Sequence, residues 1–362
     1  MHSIYIHIPF CNNICSYCAF TKFYYNKNMV LKYLEALEKE IKSNYQGEEL
    51  KTVYIGGGTP SSLDVEELQK LFEIIKMFNL DQNIEFTIEV NPESITEEKL
   101  ALFKKNKVNR ISLGIESTND KYLQYLERNY NFDLVKKKVK LIKQYGFNNI
   151  NVDLIYAIKN QTLKELENDI DNILSLDINH ISTYSLMIEP HTKLYIKKET
   201  SIDEEIDYNM YKLICRKLKD NGFIHYEVSN FSKKGYESRH NLVYWNNEHY
   251  YGFGLSASGY IDNIRYTNTT SFRDYLRQNY LKEKEILQSK DILSYAFILG
   301  FRLIKGINKD KFFQKYNVKI DELEIIQKLI KSKDLIDNGM NIYINYDKIY
   351  VENTILINFI GE

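Results

Sequence analysis

Six β-rich segments, "SIYIHI" (3–8), "TVYIGG" (52–57), "IEFTIEV" (84–90), "RISLGI" (110–115), "NINVDLIY" (149–156) and "HISTYSL" (180–186), recur through the first half of the chain. Stretches with helical periodicity separate them, among them "MVLKYLEALEKEIKSNY" and "VEELQKLFEIIKMF". Strands that alternate with helices of this length imply crossover connections, hence a parallel sheet and an α/β class. In parallel α/β sheets the chemistry sits at the carboxyl ends of the strands. All four prolines, Pro9, Pro60, Pro92 and Pro190, fall just beyond predicted strands, where a proline ends the strand and fixes the loop.

The first of those loops holds three cysteines in eight residues, Cys11, Cys15 and Cys18, within "YIHIPFCNNICSYCAF". A disulfide scaffold distributes an even number of cysteines through a short secreted chain, and structural zinc takes four ligands with no histidine pair here to complete the set. Three clustered thiolates point instead to an iron-sulfur cluster with one iron left for a small-molecule ligand. Cys215 stands alone at an apolar position of "YKLICRKLKD" and reads as a small buried hydrophobe.

Cys-x3-Cys-x2-Cys after a first strand resembles the radical S-adenosylmethionine (SAM) enzymes. The resemblance implies an open (βα)6 partial TIM barrel and a [4Fe-4S] cluster on Cys11, Cys15 and Cys18 whose fourth iron is chelated by SAM. It assigns the methionine end of SAM to "GGGTP" through Gly57, Gly58 and Thr59, and adds Tyr5, Glu89, Glu116, Arg128 and Asp153 to the SAM set. His7 is read as shaping the cluster loop.

Over most of the chain, "YIHIPFC", "GGGTPS", "EVNPE", "NRISLGIES", "NINVDLIY", "YSLMIEPHT", "YEVSNF" and "RHNLVYW" resemble the oxygen-independent coproporphyrinogen III oxidase group. The dehydrogenases of that group carry a further cysteine two positions after the third, whereas its heme chaperones carry phenylalanine, as Phe20 does here. "HNLVYW" (240–245) is the second mark of the heme-chaperone branch and contains the single tryptophan. Membership of that branch implies binding of heme and its transfer to heme-accepting proteins, membrane-associated respiratory proteins among them, without coproporphyrinogen dehydrogenase activity. The alternative is a coproporphyrinogen oxidase-like radical SAM enzyme of porphyrin biosynthesis. His240 has the chemistry of an axial iron ligand, with Tyr244 and Trp245 able to pack on a macrocycle; His249 and Cys215 compete for the same role. The chain departs from the pattern at Glu116, where a glutamine is usual, and at "AIKNQT" and "GLSASG", which replace glycine-containing turns.

Lys and Arg total 48 against 49 Asp and Glu, a net charge of -1 that argues against nucleic-acid binding. No apolar run approaches a membrane span and no signal peptide is evident, so the chain reads as cytoplasmic and not an integral membrane protein. Its 362 residues divide by pattern into a barrel (1–200), an annex packed on it (201–284) that carries "HNLVYW", and a C-terminal winged-helix-like α+β domain (285–362). The charged "LKEKEILQSKD" (281–291) marks the junction, and Asn-Gly at 338–339 signals a hairpin.

Overall fold

The computed structural model describes residues 2–360. The chain begins with strand β1 (His2–Ile8), and two short strands, β2 (Phe10–Cys11) and β3 (Phe23–Tyr24), bracket the cysteine loop. Strands β4 (Leu50–Gly57), β5 (Leu80–Val90), β6 (Arg110–Glu116), β7 (Asn149–Tyr156) and β8 (His180–Ser185) then follow with helices between them. Each strand from β5 to β8 pairs in parallel with the one before it, and β4 pairs in parallel with β1. The six strands read from the sequence are therefore the six strands of the barrel.

Each strand has two chemically distinct faces, because successive side chains alternate across a sheet. Ile4, Ile6, Val53, Ile55, Phe86, Ile88, Ile111, Leu113, Ile150, Val152 and Ile181 are buried in the main hydrophobic core. That core also takes Leu34 and Leu37 of α1 (Lys27–Asn44) and Leu68, Leu71 and Phe72 of α2 (Val65–Ile75). The alternate positions, among them Tyr5, Thr52, Tyr54, Glu85, Thr87, Glu89, Arg110, Ser112, Asn151, Asp153, His180 and Ser182, form a polar lumen. Helix starts are capped locally: Asp64 and Glu67 form a reciprocal capping box at α2.

The segment after residue 200 continues the same sheet at both edges rather than lying on it as a separate layer. After α8 (Glu204–Asp220), strands β9 (Ile224–Glu227) and β10 (Asn230–Ser232) extend the β8 side. On the other side β11 (Tyr250–Phe253) pairs in parallel with β1, followed by β12 (Ser258–Ile261) and β13 (Ile264–Asn268). The next strand, β14 (Leu281–Ile286), lies in the stretch expected to be a junction. Its six residues are all exposed, so it is an edge strand whose alternating Lys and Glu deter further pairing. The sheet is open, with edges β14 and β9.

Beyond it, a helix (Ser289–Gly300) leads into a three-stranded antiparallel sheet of β15 (Ile307–Asn308), β16 (Leu335–Asp337) and β17 (Asn341–Ile344), with further helices between β15 and β16. Gly339, at φ +91°, turns the hairpin between β16 and β17, as Asn-Gly predicts.

Tyr33 of α1 joins the annex to the cysteine loop. Its ring packs on Phe10, Tyr275 and Phe272, its hydroxyl donates to the His7 carbonyl at 2.6 Å, and the same oxygen accepts from Leu255 N at 3.0 Å. Tyr33→Phe leaves two buried backbone groups without that partner and is expected to cost about 1–3 kcal/mol, read as a lower urea midpoint at unchanged m-value.

Candidate functional site

The cysteine loop is tied to the barrel from both sides. Gly58 N donates to the Ile8 carbonyl at 2.9 Å and Thr59 N to the Phe10 carbonyl at 2.8 Å, so "GGGTP" runs alongside the chain as it leaves β1. On the far side Ser16 N and Oγ donate to the Leu126 and Tyr125 carbonyls, and Asn13 Nδ2 to the Glu127 carbonyl at 2.6 Å. Lys193 Nζ donates to the Ile14 carbonyl at 2.8 Å. Between these anchors Cys11, Cys15 and Cys18 line a cavity of about 380 Å3 at the carboxyl ends of the strands.

Gly57, Gly58, Thr59, Glu89, Glu116, Arg128 and Asp153 line the same cavity. The structure thus brings the three cysteines and the remote polar residues into one site. Tyr5 lies beneath it: its hydroxyl bonds His7 Nδ1 at 2.9 Å and its ring is 6.1 Å from that of Tyr54. His7 Nε2 faces the Thr21 carbonyl at 2.9 Å, which fits a neutral ring that donates to the cysteine loop and accepts from Tyr5. Burial lowers its pKa to about 4.

The three glycines allow close packing of protein on protein. A Cβ on Gly58 would stand 2.9 Å from the Ile8 and Phe10 backbones, and one on Gly57, at φ +110°, would stand 2.4 Å from the His7 ring. Gly57 N is left free to donate to Glu89 Oε2 at 3.0 Å, while Tyr54 donates to Oε1 at 2.8 Å.

Glu116 sits at a break in the β6–β7 register with φ +56° and forms a buried ion pair with Arg128. The charge added at this position is compensated by that partner. Arg128 Nη2 also donates to Tyr17 Oη at 2.9 Å, which links the guanidinium to the cysteine loop. The cavity wall includes residues that sequence reasoning missed: Asn91, which donates to Thr59 Oγ1 at 3.2 Å, and Ser112, Tyr184 and Met187. Ser112 and Tyr184 share inward positions with residues two or more places along their strands, and that period of two was the available signal.

Burial pushes the Cys11 thiol up to about 11, with Cys18 and Cys15 adding to the shift, and burial also raises that of Cys15, with Glu116 and Cys18 adding. Among the described residues no three His, Cys, Asp or Glu side chains converge as ligands of one metal ion. Cluster loading here would displace protons. Burial raises the Glu89 carboxyl, and burial with the charge of Glu116 raises Asp153 to about 7.

The "HNLVYW" residues lie elsewhere, on α9 (Arg239–Trp245), with His240 and Tyr244 packed against lumen residues. His240 Nδ1 bonds Thr52 Oγ1 at 2.6 Å, its Nε2 bonds Tyr244 Oη at 2.7 Å, and its ring stacks on Tyr54. Burial lowers its pKa to about 3, with Arg110 adding to the effect. In this arrangement neither nitrogen is open to an iron, so ligation by His240 requires both bonds to break. Trp245 lies near the Arg302 guanidinium, 5.9 Å from its ring. His249 Nε2 faces the Asp262 carbonyl at 3.1 Å, and Cys215 lies on α8 near Tyr211 and Tyr346, outside the cavity.

Residues 5–173 match the Radical SAM superfamily. The chain is 37% identical to the heme chaperone HemW of Bacillus subtilis over the full length of both. It is 36% identical to that of Lactococcus lactis, with 99% of this chain and 97% of the relative covered. The chain belongs to the HemW family. Its fold matches that of the coproporphyrinogen III oxidase HemN of Escherichia coli, a radical SAM enzyme, with a TM-score of 0.86 at 19% identity, over 99% of this chain and 90% of that one.

Two outcomes are expected. Gly58→Ala should displace the cysteine loop through its backbone clash and lower iron and sulfide content after anaerobic reconstitution. SAM carries a net positive charge, and Asp153 passes from mostly neutral to mostly ionised between pH 6 and 8. SAM affinity should therefore rise with pH across that window by up to roughly tenfold. Equilibrium dialysis should find the dependence flattened in Asp153→Asn.

Proposed function

We propose that this chain is a heme chaperone that binds a [4Fe-4S] cluster, SAM and heme and hands heme to acceptor proteins. Its similarity along the whole chain to proteins named heme chaperones carries the reading. Cys11, Cys15 and Cys18 would hold the cluster, and the fourth iron would take SAM. When bound, such a cluster can deliver a single electron to the sulfonium. The chain's own residues supply the rest. Gly57 N and Tyr54 orient Glu89, Arg128 balances Glu116 and braces Tyr17, and the loop anchors hold the thiols at the cavity.

Phe20 supports the chaperone over the dehydrogenase. It lines the cavity at the position after "CA" where the dehydrogenases place a fourth cysteine, and it is 68% exposed. Met187, 67% exposed, lies on the same wall, so the mouth offers apolar surface to a flat macrocycle. The acceptors include membrane-associated respiratory proteins, reached from the cytoplasm. Among the described residues no helix is long and apolar enough to cross a membrane.

Anaerobically reconstituted protein should bind heme in a titration followed at the Soret band. The same sample, supplied with reductant, SAM and coproporphyrinogen III, should form no protoporphyrinogen IX. Its formation would establish the oxidase alternative. His240→Ala should shift the heme spectrum at unchanged cluster content if the α9 imidazole opens to become the axial ligand.

A further inference from the structure

The parallel pairing places Tyr5 opposite Tyr54, Tyr54 opposite Thr87, Thr87 opposite Arg110 and Arg110 opposite Asn149, so these residues form one layer across five strands. Thr87 and Arg110 lie two residues before Glu89 and Ser112, and Asn149 lies four before Asp153. All three therefore share the inward parity of cavity-lining residues.

Arg110 is only 2% exposed, and its side chain makes no hydrogen bond or ion pair among the described residues. Its Nε is buried without a partner, as are Thr87 Oγ1 and Asn149 Oδ1 in the same layer. Glu89 lies within electrostatic reach of Arg110 but makes no hydrogen bond to it. A buried guanidinium with an unbonded donor is unfavourable, and three unsatisfied polar groups on adjacent strands mark one place where a polar partner belongs.

Among the described residues no lumen carboxylate accepts a hydrogen bond from Arg110. Glu85 accepts the backbone N–H groups of Arg239 and His240 at 3.0 and 2.9 Å, and Glu89 accepts from Tyr54 and Gly57. Asp153 Oδ1 accepts from Asn151 at 2.8 Å. His180 and His240, both within electrostatic reach of Arg110, are held neutral chiefly by burial. Tyr5, Tyr54 and Tyr244 keep accessible surface although they face inward, so side chains do not fill the space around this layer. Glu89, to which Tyr54 donates, lines the cavity above this layer.

We propose that this layer is an anion site inside the barrel, in which Arg110 takes a carboxylate of the bound ligand. On the heme reading above, on which this rests, that group is a heme propionate. A guanidinium suits the role because it pairs with a carboxylate through two parallel N–H donors, with Thr87 Oγ1 and Asn149 close by in the same layer to complete the set.

The test compares heme with heme dimethyl ester, whose propionates carry no charge, on the reconstituted full-length protein. The wild type should bind heme about tenfold or more tightly than the ester. Arg110→Met should bind both alike, and Arg110→Lys should recover part of the preference. SAM binding and iron content should be unchanged in both variants, which also reports that they fold. Equal binding of heme and ester by the wild type would overturn the anion site while leaving the heme reading standing. Binding of neither would remove the heme reading and the propionate with it. A full preference for heme retained in Arg110→Met would overturn the role of Arg110. Were the Met variant not to fold, the wild-type comparison and the Lys variant would still decide.

Discussion

Two backbone hydrogen bonds, Gly58 N to the Ile8 carbonyl and Thr59 N to the Phe10 carbonyl, join the chain beyond β1 to the chain beyond β4. They set the distance between the cysteine loop and the segment expected to hold SAM. No side chain fits between these backbones, which is why Gly58 is a glycine. The remaining anchors of the loop, from Ser16, Asn13, Lys193 and the Arg128–Tyr17 contact, fix its outer side and depend on that inner seam for their register. The aromatic packing around Tyr33 brings the annex to the same seam through the His7 carbonyl.

The lumen is the second constraint. A parallel sheet covered by helices usually buries apolar residues on both faces, yet here one face is polar from β1 to β8. That face divides by height. At the carboxyl end Glu89, Glu116, Arg128 and Asp153 surround a cavity. Lower down His180 and His240 are closed in by hydrogen bonds to Asn151, Tyr226, Thr52 and Tyr244. Arg110 lies between, within electrostatic reach of Glu89 but with no hydrogen bond or ion pair to its side chain among the described residues. Buried carboxyls with raised pKa values at the upper level favour a ligand that brings positive charge, whereas Arg110 favours one that brings negative charge.

Alternation of strand and helix, the carboxyl-end position of the loops and the three-cysteine spacing were legible in the sequence because each is a local pattern. The six barrel strands and the Asn338-Gly339 hairpin stand where those patterns put them. Local signals gave "LKEKEI" as part of a junction and not as a strand, since its charges have no partner within the segment; only pairing with β13 makes it one. The family resemblance named Glu89, Glu116, Arg128 and Asp153, but their convergence depends on the curvature of the sheet, which no single segment encodes. It also singled out His240 without showing that Thr52 and Tyr244, 188 and 4 residues away, occupy both of its nitrogens.

By itself the sequence determined the class of fold, because periodicity survives in one dimension, and the family, through motifs shared along the chain. Tertiary structure alone decided which polar groups are satisfied. Burial and hydrogen bonding are properties of the assembled lumen: there Glu116 gains a cation, His240 is closed in, and Arg110, an ordinary arginine at the start of a strand, becomes a buried charge whose Nε no group among the described residues accepts from.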